Sequence, residues 1–325
     1  MQTLQFLLWR LAKGILVVLA IVILDFFLIH MAPGDPASVM AGESGATDEA
    51  FVQQLRVKFG LDQPLTTQLG LYLWGVVRLD LGFSHRQQMP VLDLVLDRLP
   101  ATLLLTGAAF VFSLTLGVVL GAWAAAHKGR PLDRIITTVS LVFYAAPLFW
   151  MALMAVLIFS VWLDWLPAFG IRDVGGDAGL LDRTLDVARH LVLPAVTLGL
   201  FFTAVYVRIT RASMIEVARQ DFVKTCRAKG LPERVILRRH VLRNAVLPVV
   251  TLAGLQAGQM VGGAVMTETV FAWPGIGRLM YEALIQRDYN LLLGVFVVSA
   301  AMVVVFNILT DLVYRMVDPR IEVSR

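Results

Sequence analysis

The residues of this chain best suited to chemistry lie in one basic stretch, 208–244, which carries ten Lys/Arg against three Asp/Glu. Within it runs Asp221-Phe-Val-Lys-Thr-Cys-Arg-Ala-Lys-Gly230. The pattern offers recognition rather than catalysis. Residues 217–228 can form one helix, Gly230 breaks it, and 233–240 can form a second. Val217, Phe222, Val223, Leu231, Val235 and Ile236 give these helices an apolar side. Two readings stand. The helices lie flat on the inner leaflet, or they form a helix–break–helix hairpin that docks on a cytoplasmic subunit and transmits rigid motion from it.

The remaining polar residues divide less sharply. Asp25 falls inside an apolar run, where an ionisable group is costly and marks a functional site by default. The alternative is an Asp25 near the outer interface, in contact with water or a polar neighbour. Asp311, near the inner end of the last apolar run, reads as structural, pairing with Arg315 at i,i+4. Thr203, Thr210, Ser213, Gln256, Gln259, Thr267 and Asn307 can line a route through a helix bundle or hydrogen-bond helices together. Trp162, Trp165 and Trp273 sit near expected outer interfaces, where membrane anchoring explains them more simply than solute stacking.

Several chemistries have no motif here. There is no Gly-x-x-x-x-Gly-Lys-Ser/Thr phosphate loop, so ATP-driven work must come from another subunit. No His-Glu-x-x-His or Gly-x-Ser-x-Gly occurs, and the five histidines show no metal-ligand spacing, so no metal site is expected. The lone Cys226 rules out an internal disulfide.

These residues must be positioned by membrane helices. The 325 residues are 58% hydrophobic and 16% charged, and several apolar runs reach the roughly 20 residues that cross a hydrocarbon core. The runs are continuously apolar, unlike the alternating strands of a β-barrel. Six spans are expected, at about 11–29, 102–125, 136–162, 191–207, 245–266 and 291–314. The first could pass for a signal sequence, but no small-residue cleavage site follows it, so it is read as a retained helix. Pro147 interrupts the third span and is expected to kink it. Gly107, Gly117, Gly121 and Ala122 in the second span, and Gly254, Gly258, Gly262 and Gly263 in the fifth, permit close helix contacts.

Between the first two spans lies an insertion with amphipathic stretches at 48–59 and 66–77, read as short helices outside the membrane. A second outer loop covers 166–190, and 267–290 returns to the outer side. Lys and Arg gather on the cytoplasmic side, which places both termini, the hairpin 127–134 and the basic stretch inside. The expected organisation is a first transmembrane helix (1–31), an extracytoplasmic insertion (32–100) and a five-helix core (101–325) holding the loop 208–244. The net charge of +4 needs no nucleic acid to explain it; the anionic inner leaflet suffices.

An ordered set of short motifs carries a resemblance over nearly the whole chain. It runs from Pro33-Gly-Asp-Pro36 through Phe59-Gly-Leu-Asp-Gln-Pro64, Leu79-Asp-Leu-Gly-Phe-Ser84 and Leu163-Asp-Trp-Leu-Pro167 to Leu193-Pro-Ala-Val-Thr-Leu-Gly199. It continues with Thr210-Arg-Ala-Ser213, Arg227-Ala-Lys-Gly230 and Arg243-Asn-Ala-Val-Leu-Pro248. It closes with Glu268-Thr-Val-Phe-Ala-Trp-Pro-Gly-Ile-Gly277 and Asp318-Pro-Arg320. With these motifs the chain resembles the first permease subunit of ABC importers for dipeptides, oligopeptides, nickel and related solutes.

The resemblance implies an all-α polytopic membrane protein of the type I importer permease fold, with six transmembrane helices, in a bacterial or archaeal cytoplasmic membrane. It implies a second homologous permease, two ATPases that hold ATP and Mg beneath, and an extracytoplasmic solute-binding protein; this chain binds no cofactor itself. Coupling to the ATPase falls on Asp221, Lys224, Thr225, Cys226, Arg227, Ala228, Lys229, Gly230, Glu233 and Val235. Lys224-Thr-Cys226 stands where the general importer motif has Glu-Ala-Ala, and Leu242-Arg243 where many relatives have Leu-Pro. Asp25 departs from the family pattern and is left without a role. Thr203, Gln256, Gln259 and Asn307 are the candidate pathway residues. Glu268, Phe271, Trp273, Pro274 and Gly275 form an outer gate or turn.

The leading solute is a peptide; nickel, glutathione, opines and some sugars are alternatives within the family. Outside it stand a gradient-driven carrier or channel, and a membrane scaffold or intramembrane enzyme.

Overall fold

The computed structural model describes residues 2–31, 49–58, 62–84, 86–173 and 179–317. The motifs at 33–36, 59–61 and 318–320 lie outside the described residues, as does the side-chain pairing of Asp311 with Arg315. The elements in order are α1 (Gln2–Met31), α2 (Glu49–Lys58), α3 (Leu65–Val77), a two-residue hairpin of β1 (Phe83–Ser84) and β2 (Met89–Pro90), α4 (Val91–Ala126), α5 (Pro131–Ala145) and α6 (Leu148–Ala155). A π-helical turn, Val156–Trp162, extends α6. Then come α7 (Leu180–Val217), α8 (Asp221–Ala228) and α9 (Glu233–Val235), which runs through a second π turn, Ile236–Val241, into α10 (Leu242–Val270). α11 (Ile276–Ile285) and α12 (Tyr289–Val317) follow. Among the described residues, five helices are long and apolar enough to cross a membrane, and α5 with the extended α6 makes a sixth if that bent pair is one span. Large apolar side chains such as Leu16, Val111 and Leu141 stay exposed, as a lipid-facing surface requires.

The chain divides into two compact units, Met1–Ala101 with Gly275–Val304, and Thr102–Pro274 with Val305–Arg325. In the first, Phe26 of α1 is buried and stacks on Tyr72 of α3 with ring centroids 5.9 Å apart. His30 Nε2 lies 3.1 Å from Gln68 Oε1, a second tie between the same helices. The buried Ser84 hydroxyl donates to Asp288, and Asn290 Nδ2 donates to the Phe83 carbonyl at 3.1 Å. The short helices expected at 48–59 and 66–77 are α2 and α3, within two residues at each end.

The second unit is a helix bundle. α4 and α7 approach through small residues: a Cβ on Gly121 would stand 2.7 Å from Thr210 Cβ and 2.8 Å from the Val207 carbonyl oxygen. Gly117 meets Tyr206, Gly199 meets Phe112, and Gly254 of α10 meets Thr310 of α12 in the same way. Thr310 Oγ1 also donates to the Gly254 carbonyl at 3.0 Å. Of the other glycines read as contact points, Gly107 and Gly262 face open space.

The third span departs most from an ordinary helix. Proline disfavours the α region for the residue before it, and Ala146 is extended at φ −71, ψ 137. The axes of α5 and of α6 with its π turn then differ by 103°, so the expected kink at Pro147 is a full break. α7 begins at Leu180, so the outer loop expected at 166–190 gives up its last eleven residues to helix. Asp182 lies in the first turn of α7, where a negative charge suits the helix dipole. The two acids and two arginines of 182–190 had read as loop. Pro194 lies inside α7 without ending it.

Candidate coupling interface and outer turn

α8 is set apart from α7 by an extended Gln220 (φ −70, ψ 155), so the helix expected over 217–228 is two. Asp221 in its first turn and Arg227 in its last complement the helix dipole. The end of α8 is fixed by two backbone bonds. Leu231 N–H donates to the Cys226 carbonyl at 3.3 Å, and Gly230 N–H donates to the Arg227 carbonyl at 2.9 Å. This pair is the Schellman arrangement, which needs a left-handed residue after the cap. Gly230 supplies it at φ +75, and among the described residues nothing lies within 4 Å of where its Cβ would be. The demand for glycine is therefore one of backbone conformation, not of space.

The apolar residues of the segment divide between two faces. Val217, Val223 and Ile236 are buried together with Met214, Val241 and Ala245. Ala122 and Ala125 of α4 pack against the same cluster, with Cys226 half-buried beside it. Val223, with Cys226 beside it, thus seats α8 against the ends of α4, α7 and α10. Phe222, Leu231 and Val235 are exposed at 37–38% and leave an apolar outer surface. Around it Asp221, Lys224, Thr225, Arg227, Ala228 and Lys229 are exposed as well.

The two acids nearest the turn are paired within the segment. Lys224 Nζ lies 2.8 Å from Asp221 Oδ1. Arg227 grips Glu233 with both arms of its guanidinium, at 3.1 and 2.7 Å, which closes the loop around Gly230. The Glu233 hydrogen bonds raise the Arg227 pKa above its ordinary value.

A second clamp, which the sequence did not disclose, joins α5 to α7. Arg211 Nε and Nη2 donate to the two oxygens of Asp133 at 2.6 and 2.8 Å, and the Gly129 N–H donates to Asp133 at 2.9 Å. Asp133 is 3% exposed. Charges 78 residues apart carry no local signal of such a pair.

At the other end of α10, Glu268, Phe271 and Trp273 are buried, at 0%, 1% and 0% exposure. Thr102 Oγ1 donates to Glu268 Oε1 at 2.7 Å. Phe271 packs on Ala152, Val156 and Leu193, and its carbonyl accepts the Gly170 N–H at 2.9 Å. Trp273 N–H donates to the Glu268 carbonyl at 2.9 Å, which curls the chain back on the helix end. Ala272 adopts φ +50 to allow it, and Pro274 and Gly275 lead into α11. The reading of Trp273 as a lipid-facing anchor is therefore corrected: its ring is inside the protein, because the turn folds inward at Ala272. Trp162 and Trp165, at 70% and 67% exposure, remain open to a membrane interface.

The four candidate pathway residues differ in setting. Thr203 is buried, and its hydroxyl donates to the Gly199 carbonyl at 2.8 Å. Gln256 has a buried Oε1 with no hydrogen-bond partner among the described residues. Gln259 and Asn307 are exposed. Asp25 is half-buried, with an Oδ2 that finds no donor among the described residues.

Known proteins align with this architecture over its length. The family described as "Binding-protein-dependent transport system inner membrane component" matches residues 117–323, and its N-terminal companion matches residues 3–106. The chain is 39% identical to the dipeptide transport system permease protein DppB of Escherichia coli K12, covering 98% of this chain and 99% of that one. DppB of Alkalihalophilus pseudofirmus is 38% identical, over 96% and 98%. A putative peptide transport system permease of Brucella abortus is 38% identical, over 96% and 97%. Among solved structures, the inward-facing MetNI methionine ABC transporter superposes with a TM-score of 0.57 at 18% identity, over 69% of this chain and 96% of that one. That likeness speaks for the type I importer permease fold. The chain belongs to the family of binding-protein-dependent transport system inner membrane components, as a multi-pass permease subunit of an ABC importer in the cytoplasmic membrane.

Proposed function

We propose that this permease takes up dipeptides and oligopeptides, through a pathway it shares with a second, homologous permease. The relatives' full-length similarity and their names, dipeptide transport system permease and putative peptide transport system permease, support the solute class. ATP and Mg2+ belong to two partner ATPases, in keeping with a sequence that has no phosphate loop. An extracytoplasmic binding protein delivers the solute and makes most of the selection.

The observation that carries the coupling role is the seating of α8. Its buried Val223 fixes it to the ends of three spans, while Phe222, Leu231 and Val235 present an apolar surface with Lys224, Thr225, Arg227 and Lys229 around it. A groove with an apolar floor and an acidic rim on an ATPase fits that surface. When the ATPases close on ATP, α8 moves with them, and the spans packed on Val223 follow. Glu268, Phe271 and Trp273 then act at the outer turn, and Thr203, Gln256, Gln259 and Asn307 along the solute route.

The test is ATP-dependent uptake of a labelled dipeptide by vesicles holding this chain with its co-purified partners and binding protein. Saturable uptake that requires ATP and is competed by unlabelled peptide is the expected result. Binding protein that arrives carrying a sugar or a metal chelate, with no peptide uptake, overturns the solute class.

A further inference from the structure

Asp186 and His190 lie one turn apart on α7, and the segment that follows the π turn of α6 brings Asp173 to the same place. A ligand-type atom from each lies within 4.8 Å of the others. The His190 side chain is 2% exposed, that of Asp186 27% and that of Asp173 88%. The site is thus a buried imidazole with a carboxylate on either side, open to solvent through Asp173. The expectation that this chain has no metal-ligand cluster came from looking for histidines and cysteines spaced together. The Asp186-x-x-x-His190 pair carried half the signal, and the third member comes from outside the helix.

The hydrogen bonds decide what the imidazole can do. Nδ1 lies 3.0 Å from the Asp186 carbonyl oxygen, and a carbonyl can only accept, so Nδ1 carries a proton. In the neutral ring this leaves Nε2 with a bare lone pair. Nε2 is aimed at Asp173 Oδ1, 3.6 Å away. That is too far for an N–H···O bond, which needs about 2.7–3.2 Å. Two lone pairs facing each other at that range repel unless a proton or a metal cation sits between them. It is also the spacing of two ligands on one ion: metal bonds of about 2.1 Å at a tetrahedral angle hold their donor atoms about 3.4 Å apart.

Asp186 completes the arrangement. Its Oδ2 accepts the Asp173 N–H at 2.8 Å, and its Oδ1 lies 3.1 Å from His190 Nδ1. A metal-bound histidine is commonly held through its other N–H by a carboxylate or carbonyl, and here both are present. Two carboxylates around a neutral imidazole also match the charge of a divalent ion. From this geometry we infer a divalent transition-metal site in which His190 Nε2 and the Asp173 carboxylate are ligands. Asp186 orients the ring and balances charge, and the remaining positions go to water. The ion would clasp the segment ending at Asp173 to α7. The same segment reaches the outer turn through Gly170, whose N–H donates to the Phe271 carbonyl.

The test uses the untagged transporter, purified with its partners, stripped with chelator and dialysed against buffered Zn2+. Wild type should retain one equivalent more zinc than Asp173→Asn and His190→Gln, and zinc should raise the thermal midpoint of wild type but not of these two variants. Asp182→Asn, an acid on the same helix, should behave as wild type. Asp173 is on the surface, so its variant decides the matter should His190→Gln fail to fold. Equal zinc in wild type and Asp173→Asn, or zinc that leaves the wild-type midpoint unmoved, overturns the site.

Discussion

Gly230 offers the sharpest test of the coupling geometry, because its demand is purely conformational. Its φ of +75 lies in the left-handed region, while the space around its absent Cβ is open. A non-glycine residue there costs about 1–2 kcal/mol in backbone energy, and asparagine costs less. A β-branched residue costs more, because its side chain crowds the backbone in that region. A relaxed turn lets α8 drift from the docking geometry, so about 1–2 kcal/mol becomes a roughly 5–30-fold weaker hold on the ATPase. The assay is ATPase retained by the detergent-purified permease pair, together with the stimulation of ATP hydrolysis by loaded binding protein. The expected order is Gly230, then Gly230→Asn, Gly230→Ala and Gly230→Val. If Gly230→Ala matched wild type within twofold, or Gly230→Asn fell as far as Gly230→Val, the backbone argument would be refuted. A uniform loss for all three would point to a side-chain clash that the structure does not contain.

The two faces of the coupling segment should separate cleanly. Ile236→Ala, fully buried, should cost about 2–5 kcal/mol and lower the thermal midpoint of the complex, whereas Phe222→Ala should leave the midpoint in place and weaken ATPase retention. Asp133→Asn should cost about 2 kcal/mol by leaving the Arg211 guanidinium, 31% exposed, without its carboxylate. The double variant with Arg211→Met should recover much of that loss, and equal midpoints for the single and double variants would count against the clamp. Ala272→Gly should raise the midpoint by the equivalent of about 1 kcal/mol, since alanine at φ +50 is strained; an unchanged or lower midpoint would show that strain to be absent.

What the sequence disclosed follows from the range of the interactions. Apolar runs of span length, the proline at 147 and the glycine at 230 are local signals; the runs and the glycine became the features expected of them, and the proline gave a full break where a kink was expected. The amphipathic stretches became α2 and α3 for the same reason. Contacts that close over distance were hidden. Asp133 and Arg211 are separated by 78 positions, and Thr102 and Glu268 by 166. Trp273 looked like an interface residue because tryptophan favours that place. A left-handed Ala272 turned it inward, and alanine gives no warning of that conformation. The division of the sticky residues of 217–236 into buried and exposed sets was hidden too, since both sets are aliphatic or aromatic.

The second π turn explains part of that concealment and bears on how force passes through the segment. Ile236 and Val241 are both fully buried, yet five residues apart they fall on different sides of a regular α-helix, where i and i+4 align. Hydrogen bonding of the i→i+5 type brings them to one side, with Arg238 and Arg239 left exposed between them. A helical reading at period 3.6 therefore does not place Ile236 and Val241 on one face. The consequence is mechanical. With both residues in the cluster that holds Val223, the entry to α10 meets that cluster at two points rather than one. α7 joins through Met214 and Val217, and Arg211, one turn before Met214, extends the linkage to α5. Interiors this closely packed shift as bodies rather than deform. The cluster and the clamp together join α8 to the ends of α4, α5, α7 and α10.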